Sequence, residues 1–229
     1  MTKKRILAAA FIVVIALPIR LTNITAAMGW PISTRVIQGA VSSNEDNRSL
    51  REKAKQRGNF RETQNPKSAA AYADLADLAN HSSVVIIGTA ERNTPVLATD
   101  GKSISLEYGV RVEYVYKGRL QAGNTITVSL PGGRVRFDDG STAEVMTPWF
   151  KKMQNGRTYA LFLQPGFGNG RFVTTGEAQG VFEIPTTQDD RTVKSHSGIQ
   201  SHSVRKYHGQ DVKTFLRELR KVTGKPLKG

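Results

Sequence analysis

Three histidines recur every six residues late in the chain: His196, His202 and His208, in KSHSGIQSHSVRKYHGQD. Neutral imidazole is a good ligand for zinc, copper or nickel. Three of them would make an open site able to activate water, the chemistry of a metal-dependent hydrolase. The spacing fits neither an i, i+4 helical pair nor a finger pattern, and no nearby Glu or Cys completes the set. Lys194, Arg205 and Lys206 would also repel a cation. A solvated polar loop is the plainer reading.

Other chemistry-bearing residues are as easily explained by structure. Asp138, Asp139 and Glu144 have the types for an acid and base pair, but Asp-Asp-Gly between two apolar runs is a good turn by itself. Gly166-Phe167-Gly168-Asn169-Gly170 resembles a phosphate loop, yet the residues that follow are strand-like, whereas such loops must open a helix. No Gly-x-Ser-x-Gly elbow is present, and nothing rises to a catalytic constellation. The chain has no cysteine, which removes thiol catalysis, thiolate metal sites and disulfides. Trp149-Phe150-Lys151-Lys152 is the remaining candidate. Two rings beside two cations suit a protein or glycan surface if exposed, and are core if buried.

What must position these residues is a β framework. Over 105–117, Leu106, Tyr108, Val110, Val112, Tyr114 and Tyr116 alternate with Glu107, Arg111, Glu113 and Lys117. This is the period of a strand with one face on a core. Lys117-Gly118 and Gly123-Asn124 punctuate the run. Ile126, Val128 and Leu130 then alternate with Thr125, Thr127 and Ser129, a second strand antiparallel to the first. Val84–Ile87 is apolar on both faces, which suits a central buried strand, and Arg157–Gln164 (RTYALFLQ) reads as a strong buried strand. Shorter strands are expected near Val96–Ala98, Val135, Ala143–Thr147, Arg171–Thr175 and Gly180–Ile184, and Asn93–Lys102 reads as a turn region. Helices are expected over 68–81, from Tyr72, Leu75, Ala76 and Ala79, and over 210–223, with Val212, Phe215, Leu216, Leu219 and Val222 on one face. The domain thus spans 68–224, and 225–229 is a tail.

Before it, residues 1–27 have the three parts of a secretory signal: Lys3-Lys4-Arg5, an apolar run, and Thr25-Ala26-Ala27. The run Ile6–Leu17 has 12 residues, short of the roughly 20 that span a bilayer, so no span is expected once the signal is removed. Residues 28–67 are basic and polar, with few large apolar residues, and read as a disordered linker. Lys and Arg number 33 against 19 Asp and Glu, and without residues 1–27 the balance is 29 − 19 = +10. Such a field favours anionic partners.

The order helix, strands, helix resembles the netrin-module and tissue-inhibitor-of-metalloproteinases group. The likeness is carried by ADLADLANHSSVVIIGTA at 73–90, VRVEYVYKG at 110–118, PGG at 131–133, GRTYALFL at 156–163 and QGVFEI at 179–184. It is similar as well to a cysteine-free bacterial exported family. The resemblance implies a mainly β fold, an OB or netrin-like antiparallel barrel with flanking N- and C-terminal helices. Inhibitors of that group present an N-terminal cysteine to the protease zinc. This chain has none, so zinc-chelating inhibition and its residues are not carried over.

OB barrels also bind nucleic acid through basic grooves and stacking rings, here Tyr114, Tyr116, Trp149, Phe150, Lys117, Arg134 and Arg136. Export and the inward assignment of the two tyrosines argue against that use. The expected function is an exported, secreted or periplasmic binding or envelope-associated module, non-enzymatic and without a cofactor. Its partner would be an extracytoplasmic protein or an anionic envelope polymer, met through Trp149, Phe150, Lys151 and Lys152. The alternatives are the hydrolase at His196, His202 and His208, or an inhibitor of an extracytoplasmic peptidase.

Overall fold

Val85, Ile86, Ala160 and Leu161 are apolar because the strands carrying them are covered on both sides. The computed structural model describes residues 47–64, 71–166, 168, 170–187, 190–199 and 203–224. The expected signal at 1–27, linker residues 28–46 and 65–67, and tail 225–229 lie outside them. Among the described residues no helix is long and apolar enough to cross a membrane.

Strands β2 (Val84–Leu97) and β3 (Ile104–Lys117) form a long antiparallel hairpin. The turn expected over Asn93–Lys102 is thus confined to its last residues, because β2 continues through Pro95 to Leu97. β4 (Thr125–Pro131) follows antiparallel to β3. Two short strands come next, β5 (Gly133–Arg136) and β6 (Thr142–Met146), then β7 (Thr158–Pro165) and β8 (Arg171–Thr174). β8 lies parallel to β4 and antiparallel to β7, and β7 lies antiparallel to β2. The five strands β2, β3, β4, β8 and β7 therefore close on themselves as a ring.

One edge of β7 belongs to β2, while the other is shared. Leu163–Pro165 pair with β8, and Thr158–Leu161 pair with β9 (Val181–Ile184). The chain moves between these positions through a 3-10 turn at Glu177–Gly180. Gly180 is required there: a Cβ would stand 2.5 Å from the Thr175 carbonyl oxygen and 3.0 Å from that of Phe162. β10 (Lys194–Ser195) extends the sheet beyond β9.

Alternation sorts side chains into two cores. Val84, Ile86, Tyr108, Val110, Val128, Tyr159 and Leu161 fill the ring interior. Val85, Ile87, Ala160, Phe162 and Phe182 face outward, under α2 (Leu75–Asn80) and α3 (Val212–Thr223). The unbroken alternation expected of β3 fails at Glu113. Gly88 sits opposite Val112 while Ile87 sits opposite Tyr114, so Glu113 is an extra residue and the faces exchange. Tyr114 and Tyr116 leave the ring interior for the helix-covered layer, and Val115 turns in. A bulge does this because one inserted residue reverses every side chain beyond it.

Of the helix expected over 68–81, residues 68–70 lie outside the described residues, and the described part is helical over Leu75–Asn80. Asp74 caps it by accepting from the Asp77 amide, and Tyr72 precedes it, its ring edge-on to His81. α3 matches its expected position, with Asp211 as cap and Phe215 and Leu219 fully buried.

Residues 50–63, expected within the disordered linker, instead form α1 (Leu50–Arg57) and β1 (Asn59–Thr63). Their few apolar residues, Leu50, Ala54 and Phe60, all enter a third small core with Ile104, Phe137, Ala143 and Val145. A capping box starts α1: the Glu52 amide donates to Ser49 Oγ at 3.3 Å and the Ser49 amide to Glu52 Oε2 at 2.7 Å. β1 pairs parallel with β6, and β6 antiparallel with β5. Local capping and sheet pairing thus order a segment whose composition argues the other way. Ser49→Ala is expected to cost about 1 kcal/mol, read as faster amide exchange across Leu50–Thr63 with the ring strands unchanged.

Candidate functional site

The two candidates that lie apart in the sequence meet in the fold. Phe150 bridges antiparallel to Ser197. The Lys151 amide donates to the His196 carbonyl at 3.0 Å, and the Gly198 amide to that of Trp149 at 2.7 Å. Trp149 and Phe150 pack into the ring core, only 8% and 5% exposed. They are core, as apolar rings between strands usually are, and not a docking pair. The Trp149 indole N–H donates to the Gln64 carbonyl at 2.9 Å, tying the end of β1 to the ring. Lys151 and Lys152 are exposed.

His196 is 1% exposed. Its Nδ1 lies 2.5 Å from the Lys151 carbonyl oxygen. A carbonyl only accepts, so Nδ1 carries the proton. Nε2 lies 3.7 Å from Glu183 Oε2 and has no hydrogen-bond partner among the described residues. The ring meets Tyr159 and Phe150 edge to face, at 5.2 Å and 6.3 Å. Burial pushes the imidazole below its ordinary pKa; the Lys151 carbonyl and the Glu183 carboxylate oppose this. Glu183 is itself buried, with Arg157 Nη1 and Lys194 Nζ each 4.0 Å from Oε1. This junction fastens the segment after Trp149 to β9, since the His196 amide donates to the Val181 carbonyl and the Lys151 amide to that of His196.

The histidine series is therefore split: His196 is inside, His208 is exposed, and His202 lies outside the described residues. No group of three or more His, Asp or Glu side chains is placed to hold a metal ion among the described residues. The acidic candidates are committed too. Asp138 pairs with Arg51 at 2.9 Å, and Glu144 with Arg61 at 2.8 Å. Asp139 accepts from the Ser141 amide and hydroxyl, which holds its carboxyl below the usual range. Tyr116 is buried and Tyr114 half-buried, their rings 4.7 Å apart. Lys117 donates to the Ala79 carbonyl at 2.7 Å. The mixed aromatic and basic groove is not assembled from these residues.

A different surface gathers charge. In the three-stranded sheet β1-β6-β5, Phe60, Val135, Ala143 and Val145 face the third core, so the alternate residues share the solvent face. Register sets them in two rows across the strands. One is Arg61, Glu144 and Arg134; the other is Asn59, Thr142 and Arg136. Both Arg61 Nε and Nη2 bond Glu144 Oε2, at 3.0 and 2.8 Å. Thr142 Oγ1 donates to Asn59 Oδ1 at 2.6 Å, and Arg134 Nη2 reaches Thr142 Oγ1 at 3.5 Å. Arg136 is exposed, with no ion pair or hydrogen bond among the described residues. Two adjoining hollows of about 400 and 480 Å³ share Asn59, Arg134 and Thr142.

Sequence reasoning missed this face because Arg61 fell in the supposed linker. The Ser-x-x-Glu of the α1 cap, Ser49 to Glu52, was the available signal that structure begins there. No family model matches the chain, and no curated protein matches it.

Proposed function

We propose that the chain is an exported, non-enzymatic binding module whose partner is anionic. The observation that carries this is the solvent face of the β1-β6-β5 sheet, where Arg61, Arg134 and Arg136 line adjoining hollows against a single acid, Glu144. Guanidinium groups hold oxyanions through paired N–H donors, so their gathering beside open hollows favours an anion. The basic composition acts in the same direction.

The scaffold is an OB or netrin-like barrel with flanking helices. Numbered along the chain, the ring strands run first, second, third, fifth, fourth, with the third and fifth parallel. That order supports a five-stranded Greek-key barrel of OB type. Export, to a periplasm or to the outside, rests on Lys3-Lys4-Arg5 and the apolar run after it.

The test is retention of the full-length protein on immobilised polyanions (a phosphate polymer, a uronate polymer and polyglutamate) against neutral dextran. Retention on at least one is expected, fading as salt is raised and lost in Arg134→Glu/Arg136→Glu. Retention on none, or retention indifferent to the reversal, overturns the reading.

A further inference from the structure

Resting on that anion-binding reading, we propose that the arginine face takes a phosphodiester-linked polyol chain, one phosphate lying between Arg134 and Arg136. The two arginines stand two residues apart on β5 and on the same side, about 7 Å apart along the strand. Their side chains are long enough to converge on one group. A planar carboxylate is filled by one guanidinium fork. A tetrahedral phosphate offers oxygens in more than one plane and can be shared by two.

The neighbouring polar groups narrow the class further. Asn59 uses its oxygen to accept from Thr142, so its amide nitrogen is left to donate. With Arg134 and Arg136 this makes a side of donors only, matched to a diester, which carries acceptors and no acidic proton. Glu144 differs, because both Arg61 contacts go to Oε2. Its other oxygen can accept from a polyol hydroxyl beside the phosphate.

Among the described residues the ring that lines these hollows is Phe60, which is 8% exposed, packed in the third core and covered by Lys53 and Arg57, so it is not free to stack on a nucleobase. Single-stranded nucleic acid is held by stacking as well as charge, so the face suits an aliphatic chain. The adjoining acids do not compete: Asp138 is paired with Arg51, and Asp139 is held by Ser141.

The experiment titrates the full-length protein with a soluble glycerol-phosphate polymer, with polygalacturonate and with a single-stranded oligodeoxynucleotide as comparison arms. The phosphate polymer is expected to bind best. Arg134→Ala/Arg136→Ala should weaken it by about tenfold or more, the loss of charge-assisted hydrogen bonds. Lys213→Ala/Arg217→Ala removes the same charge from exposed positions on α3 and should weaken it by less than about threefold, a general field effect. Equal loss in both double variants overturns the site. Tighter binding of polygalacturonate through the same arginines overturns the phosphate assignment and leaves the anion-binding reading standing. Oligonucleotide binding as tight as the polymer's overturns the polyol assignment. Binding of none of the three overturns the polyol phosphate assignment; the anion-binding reading falls with it only if polyglutamate also fails to retain the protein.

Discussion

Phe182→Ala is expected to destabilise the protein by ~3–5 kcal/mol, the cost of removing a buried phenyl ring from a packed core. Phe182 is fully buried on β9, and its ring centroid lies 5.3 Å from Phe215, 5.9 Å from Phe162 and 6.2 Å from Tyr207. Those neighbours belong to α3, to β7 and to the 3-10 segment Ser203–Tyr207. One side chain therefore joins the sheet to the 3-10 segment and to α3. Phe182→Leu conserves most of the volume and should cost less than ~1.5 kcal/mol. Denaturant unfolding at constant m-value checks both, and limited proteolysis checks whether α3 loosens first. If the alanine variant unfolds within about 1 kcal/mol of the parent, the helix-covered layer is not the packed core described above.

His196→Ala is expected to cost ~2–4 kcal/mol, from the cavity and from the Lys151 carbonyl left without its donor. The more specific signature is in pH. Burial lowers the His196 pKa in the folded chain, so near its ordinary value, about 6.5, the unfolded chain binds the proton more readily. Stability must then fall as pH drops through that value and level off once the depressed folded pKa is passed. The Lys151 carbonyl and Glu183 at 3.7 Å work against the depression; the positive charge of the Lys151 side chain reinforces it. Tyr159 and Phe150 contribute edges and no charge, while Arg157 and Lys194 hold the far oxygen of Glu183. His196→Gln keeps a donor for the Lys151 carbonyl and removes the titration. Denaturant midpoints between about pH 5 and pH 8 should slope in the parent and flatten in the glutamine variant. Equal profiles would mean that His196 does not titrate differently on folding.

The strands of the ring were legible because their periods are local. Leu106–Val112 and Ile126–Leu130 alternate as a half-buried pair must, and Val84–Ile87 and Ala160–Leu163 lack polar positions because helices cover their second face. The exchange of faces at Glu113 was not legible. Leu106 through Tyr116 preserves its alternation in sequence, and only pairing with β2 reveals the extra residue. Tyrosine tolerates either side, since its hydroxyl can reach an edge while its ring is buried. α1 and β1 were missed for a different reason: three apolar residues look too few to order a segment, but each reaches a core supplied by β5, β6 and the β2–β3 hairpin. The arginine face depends on the same long-range pairing, since Arg61 meets Glu144 through a parallel strand contact that no local pattern encodes. For the histidines, regular spacing said nothing about depth; His196 is anchored inside by Lys151, and His208 is on a surface turn.

The parallel contact that shuts the ring has a consequence for how the chain is made. β4 and β8 share three partner pairs, Thr127–Arg171 to Ser129–Val173, braced by Arg171 and Glu107. During synthesis the first three ring strands can assemble as soon as they emerge, but β4 must wait with its outer edge bare until Thr174 is added. Over that interval Val128 and Leu130 have their strand without its last neighbour. A nascent chain in this state carries an open edge that invites pairing with another copy or capture by a chaperone, a vulnerability that ends only when the late strand arrives.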